Sequence, residues 1–160
     1  MRVMDSTVLA YIAGFLDGDG SVFFQIVRNR RKSTINPFAI RGSVAFYQKT
    51  INATILEELK KWLLVGYIRH RKTGISDYTI VEPPEVRKIL KSMQPHVILK
   101  KEQIKIGLEI LDRLEQRNSR ESFLETCKLV DQFEKLNYSK KRKITSEVVE
   151  DYFKHNPLPP

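Results

Sequence analysis

Near the amino end, the stretch Leu9-Ala10-Tyr11-Ile12-Ala13-Gly14-Phe15-Leu16-Asp17-Gly18-Asp19-Gly20-Ser21 constrains this chain more than any other. It reads as an apolar helix that runs directly into two aspartates separated by one glycine. Apolar residues surround the helix, a pattern that predicts burial on all sides. Ala10, Gly14 and Gly18 recur at every fourth position, so they line one stripe along which a second backbone can come close. Glycine inside a helix costs about 1 kcal/mol relative to alanine, so Gly14 demands a packing reason.

The two carboxylates oppose the electrostatics of the helix that carries them. A helix C-terminus bears partial negative charge and favours Lys or Arg, yet Asp17 and Asp19 stand there. A cation has to offset them. A divalent metal is one candidate, held by a carboxylate, by the exposed terminal carbonyls and by water. Asp17-Gly18-Asp19-Gly20 equally suits a plain C-cap and turn, because Asp and Gly are the residues turns use. An EF-hand calcium loop opening at Asp17 is excluded, since it needs Gly where Val22 stands and Glu where Arg28 stands.

At 160 residues the chain is long enough to bury a core, and we expect one domain over residues 1–153 with a disordered tail at 154–160. The single cysteine, Cys127, excludes an internal disulfide framework; set among Phe123, Val130 and Phe133 at helical spacing, it reads as a reduced core residue. No apolar run reaches transmembrane length and the start lacks a signal-type segment, so a soluble intracellular protein is expected. The formal net charge is +9. Twelve basic residues against five acidic ones place +7 of it in the first 76 residues, and no acid occurs between Gly20 and Leu56. A localised basic face suits a phosphate backbone, with a merely solubilising surface as the plainer alternative.

After the Asp-Gly-Asp-Gly turn, Ser21 to Val27 predicts a strand and Arg28-Asn29-Arg30-Arg31-Lys32-Ser33 a basic hairpin loop. From Phe38 to Gln48 the residues alternate, with Phe38, Ile40, Val44 and Phe46 on one face and Ala39, Arg41, Ser43, Ala45 and Tyr47 on the other. Ile51, Ile55, Leu59, Trp62 and Leu63 then predict a helix covering the apolar side, with Trp62 as core. A second strand pair, Tyr67 to Arg71 and Ser76 to Val81, repeats the design: Tyr67, Arg69 and Arg71 share one face, as do Asp77 and Thr79. Pro83-Pro84 opens a helix carried by Val86, Ile89, Leu90 and Met93. Two longer helices follow, on Ile104, Leu108, Leu111 and Leu114 and on Phe123 through Leu136, before a basic connector, Ser139-Lys140-Lys141-Arg142-Lys143, and a short helix from Ser146 to Phe153. That connector suits either a phosphate grip or a solvated linker.

Tyr11 through Ser21 resembles the motif of the LAGLIDADG homing endonucleases and stands, as in that family, before a strand. Along the rest of the chain Gln48-Lys49-Thr50, Val65-Gly66-Tyr67-Ile68-Arg69, Ser76-Asp77-Tyr78, Gln94-Pro95, Leu99-Lys100 and Ser139-Lys140 resemble, in order, the small single-motif members encoded in group I introns. The resemblance implies an α+β, αββαββα fold whose curved antiparallel sheet forms a DNA-binding saddle with helices on its other face. It implies a homodimer joined at Ala10, Ala13, Gly14 and Asp17 on paired motif helices, and a long, roughly palindromic double-stranded DNA target. Asp19 and the Gly18 carbonyl would then ligate Mg2+, with Mn2+ as a substitute and Ca2+ as an ion that binds without supporting a double-strand break. Gln48 would position water and Lys100 would stabilise charge or activate that water. Asn52 stands where close relatives carry an arginine and can bond water without adding charge. On the sheet and its loop, Gln25, Arg28, Arg30, Arg41, Ser43, Tyr47, Arg69, Arg71, Asp77 and Thr79 would face DNA, with Arg69 and Arg71 as guanine readers; Ser139, Lys140 and Lys143 would hold phosphate.

The implied function is site-specific DNA cleavage that spreads an intron, in a chloroplast, a mitochondrion or a prokaryotic cytoplasm, with no membrane partner. On the same scaffold the alternative is a maturase acting on intron RNA, or a nucleic-acid-binding protein that does not cut. A basic interaction module without nucleic-acid chemistry is the further alternative, and little salt-dependent affinity for duplex DNA would mark it.

Overall fold

The computed structural model describes residues 4–29, 35–116 and 119–160. Helix α1 (Ser6–Asp19) begins at Asp5, whose carboxylate accepts the Thr7 N–H at 2.8 Å. It ends where Gly20 adopts extended backbone and opens strand β1 (Gly20–Arg28). Then come β2 (Phe38–Lys49), a 3-10 turn (Thr50–Asn52), α2 (Thr54–Leu63), β3 (Tyr67–His70), β4 (Ile75–Ile80), α3 (Pro83–Met93), α4 (Lys101–Glu115), α5 (Arg120–Asp131), α6 (Phe133–Leu136) and α7 (Ser146–His155).

The four strands form one antiparallel sheet in the order β1-β2-β4-β3. Because side chains alternate along a strand, Val22, Phe24 and Ile26 of β1, Phe38, Val44 and Phe46 of β2 and Tyr78 and Ile80 of β4 are buried on one face. Helices α1, α3, α4 and α5 pack against those strands, closing the core. The Phe24 ring occupies a slot between Gly42 on the paired strand and Gly107 on α4, where a Cβ at Gly107 would lie 2.7 Å from the ring. Only glycine at these two positions lets α4 lie so close to the sheet. Cys127 is buried as expected, and burial pushes its thiol up to about 12.

Several expectations change. Helix α1 is not buried on all sides: Ile12, Ala13 and Leu16 are fully covered, but Ala10, Gly14 and Gly18 are exposed and Tyr11 is half exposed. Ile51 belongs to the 3-10 turn and is 87% exposed, because the chain leaves β2 before α2 begins. Leu56, Leu59 and Leu63 carry the buried stripe of α2 instead, while Trp62 is partly buried and meets Tyr11 edge-on, ring centroids 5.8 Å apart. The helix expected over Phe123–Leu136 breaks at Gln132, whose N–H bonds back to the Leu129 carbonyl while the Asp131 carboxylate turns away to accept the Ser146 N–H at the start of α7. Helix α7 runs past Phe153 to His155, and Arg120 donates to the Asn156 carbonyl at 2.6 Å. Among the described residues no helix is long and apolar enough to cross a membrane.

Candidate active site and nucleic-acid interface

The two aspartates at the end of α1 have different fates. Asp17 turns its carboxylate onto the loop before α4: Oδ2 accepts the Ile98 N–H at 2.6 Å and the Leu99 N–H at 3.2 Å, and Oδ1 accepts the Lys100 N–H at 3.1 Å. Its misplacement at one helix C-terminus is thereby offset by the N-terminus of another. Asp19, the last residue of α1, is exposed, and among the described residues no Lys, Arg or His pairs with it. A helix's last carbonyls lack intrahelical donors, and that of Gly18 belongs to the residue just before Asp19.

Lys100 comes to the same place from the far side of the sequence. Its Nζ donates to the Asp17 carbonyl at 2.8 Å, and burial lowers its pKa below the usual lysine value although the nearby Asp17 charge opposes the shift. Gln48 lies two residues beyond the last β1–β2 pair, Gly20 with Phe46, and pairs in register with Ser76 of β4. Its Oε1 accepts the Lys49 N–H at 2.9 Å, which leaves the amide NH2 directed elsewhere. Asn52 is exposed in the 3-10 turn that follows β2. Among the described residues no three His, Cys, Asp or Glu converge on a metal position. One exposed carboxylate with helix-end carbonyls still fits a hard cation such as magnesium, which retains several waters and takes few protein ligands.

The open sheet face carries the expected polar set. Gln25 pairs in register with Arg41, both exposed, beside half-buried Ser43; the Tyr47 hydroxyl lies 3.3 Å from the Ser21 hydroxyl. Asp77 is a correction: it is fully buried and cannot itself face DNA. Its Oδ1 accepts Arg71 Nε at 2.7 Å and Arg69 Nε at 3.2 Å, while Oδ2 accepts Arg69 Nη2 at 3.2 Å and Thr79 Oγ1 at 2.9 Å. Burial pushes this carboxyl up, but the hydrogen bonds from Arg69, Arg71 and Thr79 outweigh it and hold the group below the usual carboxylate range. Thr79, 8% exposed, belongs to this buried cluster rather than to the open surface. Arg69 spends its Nε/Nη2 edge on Asp77, whereas Arg71 spends only Nε and keeps both terminal nitrogens.

Arg28 is a second correction: alternation puts it on the Val22, Phe24 and Ile26 side of β1, where its guanidinium lies 4.9 Å from the Phe38 ring centroid and 5.8 Å from that of Tyr152, so it does not share the open face. Arg30, with Arg31, Lys32 and Ser33, lies outside the described residues. In the connector, Lys140 and Lys143 are exposed and Ser139 is half buried. Arg142 between them points inward, donating from Nη1 to the Phe24 carbonyl at 2.6 Å and to the Val130 carbonyl at 3.3 Å. The connector is therefore fastened to β1 and α5 rather than being a free linker. Two of the four expected interface residues on α1 also change role in this chain: Ala13 is wholly inside the core, and the Asp17 carboxylate is committed to the loop at 98–100. Sequence reasoning flagged Asp17 as misplaced but had no signal for partners 81 to 83 residues away.

Residues 12–105 match the family model described as LAGLIDADG endonuclease. The chain is 39% identical over 142 residues to the DNA endonuclease I-CreI of Chlamydomonas reinhardtii, covering 88% of this chain and 85% of that protein. It is 31% identical over 150 residues to the DNA endonuclease I-CvuI of Chlorella vulgaris, covering 94% and 92%. Its fold resembles that of I-CvuI bound to the I-CreI target with 2 mM magnesium, where the DNA is not cleaved, with a TM-score of 0.87 at 30% identity over 93% of this chain and 94% of that one. A crystal of I-CvuI with its own target holds 2 mM calcium. The archaeal intron-encoded homing endonuclease I-Vdi141I, at 21% identity and a TM-score of 0.82 over 95% and 98%, shares the fold.

Proposed function

The chain belongs to the LAGLIDADG endonuclease family, and from that premise we propose that it is a homing endonuclease cutting both strands of a long, roughly palindromic DNA site as a homodimer. The observation that carries the proposal is the α1 tip, where Asp19 is exposed, pairs with no cation among the described residues, and follows by two residues the Asp17 carbonyl that holds the Lys100 ammonium. A divalent cation bound by Asp19 and the Gly18 carbonyl would activate water and stabilise the leaving oxygen. Magnesium suits this oxygen-donor set; the relatives' crystals contain magnesium or calcium.

The chain's own residues supply the rest. Lys100 spends one of three N–H donors on the Asp17 carbonyl, so two remain to stabilise charge developing on a phosphate. The Gln48 NH2 orients water at the strand end, and Asn52 adds a neutral donor beyond it. On the sheet, Asp77 fixes both arginines, and the free terminal edge of Arg71 matches the two acceptors of a guanine in the major groove. Gln25, Arg41, Ser43 and Tyr47 extend that surface, while Ser139, Lys140 and Lys143 reach the phosphates. The open face of Ala10, Gly14 and Gly18 is where a second α1 would pack: among the described residues, beyond the neighbours and backbone of α1 itself, no heavy atom lies within 4 Å of a Cβ built at Gly14 or Gly18.

The test is cleavage of plasmids carrying a randomised site library, with magnesium, by the parent and by Asp19→Asn. The expected result is a selected sequence cut on both strands by the parent and bound but uncut by Asp19→Asn. If both proteins bind the library and neither cuts, the non-cleaving or intron-RNA role stands and the nuclease is lost.

A further inference from the structure

Lys100 ends a loop with little of its own to hold it. Ile98 and Leu99 are 76% and 72% exposed, so they contribute almost no apolar packing, and only Val97 before them is buried. Helix α4 starts at Lys101 without a side-chain cap from its own neighbourhood. The N–H groups of residues 98–100, which lie in neither a helix nor a strand, need acceptors of their own. All three, from Ile98, Leu99 and Lys100, are taken by the single carboxylate of Asp17, and the carbonyl of that same residue receives the Lys100 ammonium. One residue therefore grips Lys100 at both ends, its backbone through the side chain and its Nζ through the main chain.

Resting on the assignment of Lys100 to the active site, we infer that Asp17 is a positioning residue for cleavage, an anchor supplied across the fold that sets where the Lys100 ammonium stands relative to Asp19. The Asp17 carboxylate is spent on the amides of residues 98–100, so its part is not that of a metal ligand. It acts by tying the tip of α1, where Asp19 sits, to the start of α4, so that the acid and the lysine move as one body. Without it the loop at 98–100 keeps its exposed side chains but loses the bonds that define its backbone, and the ammonium samples positions away from the scissile phosphate. A misplacement on the scale of an ångström is enough to lower a rate by about a hundredfold.

The experiment uses the full chain and a duplex that the parent cuts, taken from the randomised plasmid library, with Asp17→Ala, Asp17→Asn, Lys100→Ala and the double variant Asp17→Ala/Lys100→Ala. Single-turnover cleavage is measured in magnesium and duplex affinity in calcium. We expect Asp17→Ala to cut at least about tenfold more slowly with affinity within about twofold of the parent, and Asp17→Asn, which keeps one acceptor oxygen, to recover part of the rate. The double variant should be no slower than Lys100→Ala alone, because the Asp17 effect passes through the lysine. Fully additive losses, or an Asp17→Ala rate equal to the parent's, overturn the inference. Amide hydrogen exchange of Ile98, Leu99 and Lys100 decides the geometric half independently: the parent protects them, and equal protection in Asp17→Asn and Asp17→Ala refutes the clamp. Should Asp17→Ala fail to fold, the Asp17→Asn rate and exchange carry the test. A parent that cuts no library member refutes the nuclease itself and with it the catalytic half, while exchange still decides the clamp.

Discussion

Gly14 offers a substitution whose effect changes sign with the number of chains. Within one protomer a Cβ at this position meets no heavy atom within 4 Å, so Gly14→Ala introduces no overlap. Replacing glycine by alanine inside a helix gains about 1 kcal/mol, which for a domain of this size raises the melting temperature by roughly 2–4 °C. A single chain should therefore welcome alanine and tolerate leucine, which would sit in solvent. Between two α1 helices packed along Ala10, Gly14 and Gly18, the same leucine occupies space taken by the partner backbone. Overpacking costs about 1–3 kcal/mol per site, and two-fold symmetry doubles it to about 2–6 kcal/mol, or roughly 30-fold to 20,000-fold weaker association. Sedimentation equilibrium across a concentration series, with and without duplex DNA, reads that constant directly, and urea unfolding shows that each protomer stays folded. A parent that remains monomeric on DNA, or Gly14→Leu that associates as tightly as the parent, refutes the paired-helix reasoning.

Two further substitutions probe the sheet and the connector. Asp77→Asn removes the charge that fixes Arg69 and Arg71, so discrimination at the base pair that Arg71 is proposed to read should relax by about tenfold, the lower range of what one bidentate arginine supplies; a selection on that variant that returns the parent's preference at every position contradicts this. Because the folded Asp77 pKa is lowered, its contribution to stability is complete above the ordinary carboxylate value near 3.8 and is lost as pH falls through the lowered one. Unfolding followed from pH 6 downward should show the parent losing an acid-dependent increment below about pH 4 that Asp77→Asn lacks. Arg142→Ala strips the donor from the Phe24 and Val130 carbonyls, which should cost about 1–3 kcal/mol in urea unfolding and weaken DNA affinity evenly across sequences by releasing Lys140 and Lys143. An unchanged unfolding midpoint would remove Arg142 from that role.

Local pattern carried much of this fold, and its failures have a common cause. The alternation from Phe38 to Gln48 and the Pro83-Pro84 start depend on neighbours in sequence, and both are where expected. The errors arise where a residue is settled by something distant. Asp77 looks like a surface acid on an open strand until two arginines fold over it, and the Phe123–Leu136 periodicity continues through a break made by Asp131 reaching α7. The α1 tip has the same character. Sequence alone marked two acids at a helix end as needing compensation without separating them, because the amides that compensate Asp17 belong to a loop 81 to 83 residues away. Once that partner is placed, the need for a cation falls on Asp19 alone, and the need for a packing partner falls on Gly14 and Gly18, whose open face the chain's own core does not fill. Both unmet requirements lie on one helix, one along its side and one at its tip. In the proposed homodimer a second copy of that helix would meet the first, and by standing beside it would bring two acids toward one duplex, where cations and phosphates would meet the second.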